Sequence, residues 1–315
     1  YWCGQRYRHF RCHIGKHSRD IFTSYGWQKF NGLGTQNMAV VMETTKFGKI
    51  FWPVLAWVVA LVFFFPIFWM AFTSFKSDAD AVKPEYLFVF KPTLENYVNM
   101  TENYDYWRFA LNSLITASFA TVFALFVGIP SAYVMAFNPT RRTKHILLWM
   151  LSTKMLPAAA VLYPMTFLTK NVLNVFDTHF LIIFVLCLVN LPIVIWMLFT
   201  YFKEIPKEIL EAGKMDGANM WGEIKDLLLP LAWGGLASTA LLCFIFCWNE
   251  AYWTVRLTTT EAATLSKLIE GNRAPEGLFF GRLSAVSTAA VGPIVVLGWF
   301  CQKQLVHGLT FGAVK

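Results

Sequence analysis

Long apolar runs alternate with short polar and charged stretches along most of this 315-residue chain. A helix needs about 20 mostly apolar residues to cross the hydrocarbon of a bilayer. Roughly six runs meet that demand: Ile50–Phe72, Trp107–Phe137, Ile146–Leu168, Phe180–Phe202, Leu227–Trp248 and Ser284–Phe300. The second is longer than its buried part requires, and polar residues extend the sixth at both ends. The pattern predicts an all-α membrane protein with six transmembrane helices. Pro66, Pro130, Pro157, Pro164, Pro192 and Pro293 fall inside the runs. A soluble helix breaks at an interior proline, whereas neighbouring helices and waters satisfy the freed carbonyls in a membrane bundle. Such kinks open cavities of the kind a transporter needs. Simple tolerance of proline accounts equally well for any single one.

Composition agrees with lipid as the solvent. Hydrophobic residues make up 56% and charged residues only 15%, against about 25% charged in a soluble domain. A soluble chain this apolar would expose large patches. The net charge of +8 raises nucleic acid as a partner, but no Lys/Arg run exceeds two residues. Membrane orientation and anionic lipid explain the charge. The six cysteines form no framework. Cys187, Cys243, Cys247 and Cys301 sit in or beside apolar runs, where a thiol packs as a small hydrophobe. Cys243 and Cys247 share a helix face, yet no further metal ligands lie nearby. Residues 1–37 carry Cys3, His9, Cys12, His13 and His17 without helical period or standard zinc spacing. They read as a leader outside the fold, with Met38 or Met42 as the natural start. The folded part is then 38–315.

The short loops set the orientation. Asn138-Pro139-Thr140-Arg141-Arg142-Thr143-Lys144 is basic and joins the second and third runs, which places it in the cytoplasm. Two crossings later the loop at about 203–226, with Lys203, Lys207, Lys214 and Lys225, falls on the same side, as do both termini. Thr73–Tyr106 and Asn249–Leu283 then face outward. They hold Asp78, Asp80, Glu85, Glu95, Glu250, Glu261, Glu270 and Glu276.

The 203–226 loop is polar but helix-forming. Pro206 stands where a first turn begins, its missing N–H costing nothing there. Glu204 and Glu208 suit the positive end of the helix dipole. Ile205, Ile209 and Ala212 give an apolar face at helical spacing. Asp216-Gly217 marks a turn, since glycine accepts positive φ. A second helix from about Ala218 is expected to run into the fifth span, with Pro230 just inside it. The arrangement suits a helix lying on the membrane surface and offered to a partner. A solvated surface loop is the plainer reading of these residues alone.

Glu211-Ala212-Gly213-Lys214-Met215-Asp216-Gly217-Ala218, followed by Leu228-Leu229-Pro230, resembles the EAA loop of ABC importer permeases. Gly213 replaces the usual alanine, a change that loosens a helix by up to about 1 kcal/mol. The resemblance runs over nearly all of 47–315. Asp177-Thr178-His179, Asn190-Leu191-Pro192, Ile205-Pro206-Lys207-Glu208, Trp248-Asn249-Glu250 and the tail Leu305–Lys315 resemble the carbohydrate branch, similar to the second membrane subunit of the maltose importer. Thr153-Lys154-Met155-Leu156-Pro157 and Cys247-Trp248-Asn249-Glu250-Ala251-Tyr252-Trp253 resemble its sorbitol/mannitol polyol group. A disaccharide or another sugar remains open.

The resemblance implies a type I ABC importer permease fold with six transmembrane helices and a cytoplasmic coupling helix, in a bacterial cytoplasmic (inner) membrane. It implies as partners a homologous second permease, two ATP-binding subunits and an extracytoplasmic solute-binding protein. It implies that Glu211, Ala212, Gly213, Asp216 and Gly217 couple the chain to an ATPase subunit. Glu211 would pair with a basic groove residue, Ala212 and Gly213 would permit close approach, and Asp216 and Gly217 would fix the turn. Asn249–Leu283 would meet the loaded binding protein, and Gly308–Lys315 the ATPase interface. The chain lacks a Gly-x-x-x-x-Gly-Lys-Ser/Thr phosphate loop. ATP and Mg are therefore expected in the partner ATPase subunit, with no catalytic residue, metal or cofactor on this chain.

Lys154 is the sharpest substrate-path candidate, because a charge inside a span is expensive; a place at a span boundary is its second reading. Asn190, Asn249 and Glu250 suit polyol hydroxyls, and interhelical hydrogen bonding explains them equally. Trp69, Trp149, Trp196, Trp248 and Trp253 suit sugar stacking or interface anchoring. The resemblance implies that the main sugar site lies largely in the other permease. A membrane-embedded enzyme needs converging catalytic groups, and His145, His179 and His307 are far apart. A solitary ion-coupled carrier needs acids buried mid-span, and none is evident. Dependence on an ATP-binding subunit separates the importer from both.

Overall fold

The computed structural model describes residues 46–273 and 279–310, with side chains for 50–273 and 279–302. The leader with its cysteines and histidines, Met38, Met42, Glu276 and the end of the tail at Phe311–Lys315 lie outside the described residues. The chain divides into two compact units, 1–66 and 67–315. The division falls inside helix α1 (Lys46–Thr73), whose described side chains from Ile50 to Pro66 are all exposed.

The second unit is built on helices throughout its described residues. After α1 come short turns at Asp78–Ala81 and Pro84–Tyr86, and then α2 (Glu95–Glu102). The core pair is α3 (Tyr106–Phe137) and α6 (His179–Lys203). Ala117, Ala120, Ala124, Gly128, Ala132 and Ala136 are buried along α3. Small residues let helix backbones approach closely in a membrane. A Cβ on Gly128 would stand 2.9 Å from Val194 Cγ1 of α6, so the seam leaves no room for a larger side chain. Ile182, Leu186, Val194, Leu198 and Phe202 fill the α6 side.

The third apolar run is not one straight helix. It forms α4 (Thr143–Thr153) and α5 (Ala158–Phe167), the latter prolonged by a π turn at Leu168–Val172, and the two halves meet at 82°. Pro157 disfavours helix at Leu156 before it and itself takes the extended N-cap position of α5. The fifth run is also bent, against the expectation of a continuous helix from about Ala218. Helix α7 (Lys207–Met215) precedes α8 (Met220–Leu231), and α8 meets α9 (Trp233–Trp248) at 87°. Pro230 cannot donate to Asp226, and its ring crowds that carbonyl. The wide π turn at Glu223–Leu228 absorbs the conflict, and the chain turns at Ala232. The apolar run Leu227–Trp248 therefore straddles this bend.

Two short helices, α10 (Tyr252–Leu257) and α11 (Leu265–Gly271), lead to α12 (Phe280–Thr310). Helix α9 packs against α3, α6 and α12. Among the described residues four helices are long and apolar enough to cross a membrane, and the count reaches six when each bent pair is one span. This is an all-α membrane architecture.

Candidate functional site

The loop between the fourth and fifth spans has a built geometry. Pro206 is the N-cap of α7, with Lys207 the first helical residue. At the far end Gly217 has φ 86°. Its N–H donates to Lys214 O at 3.0 Å, and the N–H of Ala218 donates to Gly213 O at 3.0 Å. This pair of bonds is the Schellman closure, which needs a left-handed residue where glycine is the unstrained choice. Asn219 then caps α8, its Oδ1 accepting the Gly222 N–H at 2.8 Å.

The buried face of α7 is Leu210 and Gly213, not the predicted Ile205, Ile209 and Ala212. Ile209 and Ala212 are exposed and Ile205 is half-buried. The cause lies at Gly213, where an added Cβ would sit 2.4 Å from Leu227 Cδ1. The missing side chain lets Leu227 seat against the helix and turns this side inward. The close approach at Gly213 is therefore made within the chain. Glu211, Ala212, Asp216 and Gly217 stay on the open side.

Behind α7 lies a residue that the sequence reading missed. Glu223 is 2% exposed, in the π turn of α8, and accepts a hydrogen bond from the hydroxyl of Tyr133 on α3, itself 3% exposed. A buried carboxylate requires such a partner. Glu223 stands beside Lys225 and Asp226 in a charged stretch, so nothing local marked it as the buried one.

The four substrate-path residues line one cavity of about 590 Å³, within the few hundred to 1,000 Å³ usual for small-molecule sites. Lys154 sits at the α4–α5 break, where its Nζ donates to Asn190 Oδ1 at 3.3 Å and lies 5.4 Å from the Phe246 ring. Asn190 is buried, and its Nδ2 donates to Leu186 O at 3.0 Å and Cys247 Sγ at 3.3 Å. Glu250 Oε1 accepts the N–H groups of Tyr252 and Trp253 at 2.9 and 3.3 Å. Asn249 Nδ2 donates to Ile245 O at 3.0 Å. Tyr252 and Trp253 complete an aromatic wall. A second cavity of about 500 Å³ shares Asn249 and Tyr252 and includes Trp248. Trp69, Trp149 and Trp196 line neither. Among the described residues, no three His, Cys, Asp or Glu side chains are placed to hold a metal ion. Cys187, Cys243 and Cys247 are buried free thiols.

The opposite end of the bundle from the loop is knotted by Asp177, just before α6. Its carboxylate accepts the N–H groups of Thr259, Thr260, Glu261 and Ala262 at 2.9, 2.9, 3.1 and 3.3 Å, and both threonine hydroxyls. Burial opposes ionisation, but the donors from Thr259, Thr260 and Glu261 outweigh it and hold the carboxyl well below the usual range. Asn112 of α3 donates to Glu261 O and Ala263 O at 2.9 Å each and meets His179 Nε2 at 2.9 Å. Ser113 Oγ accepts the Leu265 N–H at 2.8 Å.

These elements define a polytopic helical membrane protein with a helical loop exposed between spans. Residues 124–306 match the binding-protein-dependent transport system inner membrane component family, and the chain belongs to it. It is similar to the trehalose/maltose transport system permease protein MalG of Thermococcus litoralis, at 31% identity over 81% of this chain and 93% of that one. It is also similar to the probable ABC transporter permease protein y4oR of Sinorhizobium fredii, at 29% identity over 88% of this chain and 100% of the relative. A crystal structure of a bacterial ABC transporter that imports the acidic polysaccharide alginate has a chain with the same fold. The TM-score is 0.67 at 23% identity, covering 82% of this chain and 98% of that one. The fold is that of a type I ABC importer permease in a multi-pass inner-membrane protein.

Proposed function

We propose that this chain is a membrane-spanning permease subunit of an ATP-driven carbohydrate importer, and that it couples closure of ATPase subunits to alternating access. The observation that carries this reading is α7: a short, capped helix between spans, docked on its own chain through Leu210 and Gly213 and leaving Glu211 and Ala212 open. Glu211 pairs with a basic residue of an ATPase groove, Ala212 permits close contact, and Asp216-Gly217 holds the turn. Two ATP-binding subunits supply ATP and Mg chemistry, a homologous permease completes the pathway, and an extracytoplasmic binding protein delivers the solute. The loop and both termini face the cytoplasm, in keeping with Arg141-Arg142. Helices then rock about the pathway as rigid bodies.

The substrate is rich in hydroxyls. Lys154 and Asn190 offer donors and acceptors, and Glu250 an acceptor, beside the aromatic faces of Tyr252 and Trp253. Sorbitol and mannitol are the first candidates, from the segments Thr153–Pro157 and Cys247–Trp253. A disaccharide is the second, favoured by the name of the Thermococcus relative. The test is uptake by proteoliposomes holding the co-purified complex, its binding protein and internal ATP, with labelled sorbitol, mannitol, trehalose and maltose. Polyol uptake supports the first reading. Uptake of disaccharide alone discards the polyol and keeps the importer.

A further inference from the structure

Helix α3 is tied at both ends. Near one end the Tyr133 hydroxyl donates to the buried carboxylate of Glu223, behind the α7 loop. Near the other end Asn112 holds the carbonyls of Glu261 and Ala263, and Ser113 holds the N–H of Leu265. These ties are made by buried side chains: Asn112 is 6%, Ser113 4%, Tyr133 3% and Glu223 2% exposed. Twenty-one residues separate Asn112 from Tyr133 within one helix, a rise of about 32 Å.

The contacts between α7 and Glu223 are also continuous. Gly213 of α7 lies against Leu227 in the π turn that carries Glu223. A π turn inside a helix often marks a functional position. Beside α3 the seam with α6 is made largely of alanine and Gly128 on the α3 side. Small side chains let one helix shift along another without rotamer changes, the shear mode of packed helices. At the far end the same 259–262 segment is held by Asp177 from the α6 side. Relative movement of α3 and α6 therefore acts on one short segment from two sides.

We propose that α3 is a strut that carries displacement of the α7 loop to the 259–265 segment, with Tyr133 and Glu223 as positioning residues at one end and Asn112 and Ser113 at the other. The idea rests on the importer reading, since it takes α7 to be the part an ATPase moves. Glu223 belongs to this path through its hydrogen bond, so an amide in its place keeps the tie and a methyl loses it. Tyr133 and Glu223 line neither of the two cavities described above.

The test is hydrogen exchange on the complete co-purified complex in nanodiscs, with and without Mg-ATP plus vanadate. Two segments are read: 210–217 around α7 and 259–265 at the far end. In the wild type both change exchange on trapping. In Tyr133→Phe and Glu223→Ala the 210–217 response persists, while the 259–265 response falls by roughly fivefold or more, the lower edge of an ordinary allosteric coupling. Glu223→Gln stays near the wild type. Asn112→Ala combined with Tyr133→Phe loses no more than either alone, since both cut one path. Tyr133→Phe removes one oxygen, and basal ATPase confirms an assembled complex. A 259–265 response in Tyr133→Phe equal to the wild type overturns the strut. A wild-type complex with no response at 210–217 overturns the importer coupling itself.

Discussion

Replacing Gly217 by alanine isolates a backbone cost at the turn that ends α7. Gly217 has φ 86°, and a Cβ built there meets nothing within 4 Å. Steric collision with neighbours therefore contributes nothing. What remains is the left-handed penalty for an L-residue, about 1–2 kcal/mol. A free-energy change of that size shifts an equilibrium roughly 5- to 30-fold. The closure at stake is the pair of bonds from Gly217 and Ala218 to Lys214 and Gly213. Exchange of the Ala218 amide should speed up by that factor in Gly217→Ala. Asparagine tolerates the left-handed region better than alanine, so Gly217→Asn should lose less. Initial rates of ATP-driven uptake should rank the same way: wild type, then asparagine, then alanine. Equal damage from the two variants, or unchanged Ala218 exchange in Gly217→Ala, would refute the reasoning.

Three further outcomes follow from the geometry. Gly235→Ala puts a Cβ 2.4 Å from the Tyr201 ring, an overpacking of about 1–3 kcal/mol; its thermal midpoint should fall by several degrees, whereas Gly234→Ala, with nothing within 4 Å, should be neutral or better. Asp177 is held ionised in the folded state, so its contribution is complete above the ordinary aspartate value of about 3.9 and fades as pH falls below it; the wild-type midpoint should drop more than that of Asp177→Asn between about pH 5 and pH 3, and parallel drops would remove Asp177 from the account. Lys154→Met removes the cavity's cation and its bond to Asn190, and should lower kcat/KM for uptake about tenfold or more with basal ATPase retained.

The sequence disclosed what repeated physics writes into it. Apolar runs of span length located α3 and α6 to within a residue, because lipid burial demands an unbroken apolar stretch. The α7 turn was legible because only glycine meets φ 86° without strain. The two bends were not. Pro157 and Pro230 announced irregularity, but a proline in a membrane helix is compatible with anything from a mild kink to the 82° and 87° angles present. Periodicity found an apolar face on α7 at Ile205, Ile209 and Ala212 but not the inward one, because it counts side chains and here the deciding contact is the absence of one at Gly213. Glu223–Tyr133 and Asp177 with 259–262 join residues far apart along the chain, 90 positions in the first case. No local pattern encodes such pairs. Lys154, Asn190, Asn249 and Glu250 were singled out separately as polar groups in apolar surroundings, and the fold gathers them around one cavity.

The most direct measurement is solute uptake per ATP hydrolysed in proteoliposomes with the binding protein and internal ATP, comparing wild type with Glu211→Ala. The account predicts ATP-dependent uptake in the wild type and a sharp fall in the variant, with the complex still assembled and the binding protein still loading solute. Uptake indifferent to ATP and to Glu211 would contradict it and restore a carrier that works alone.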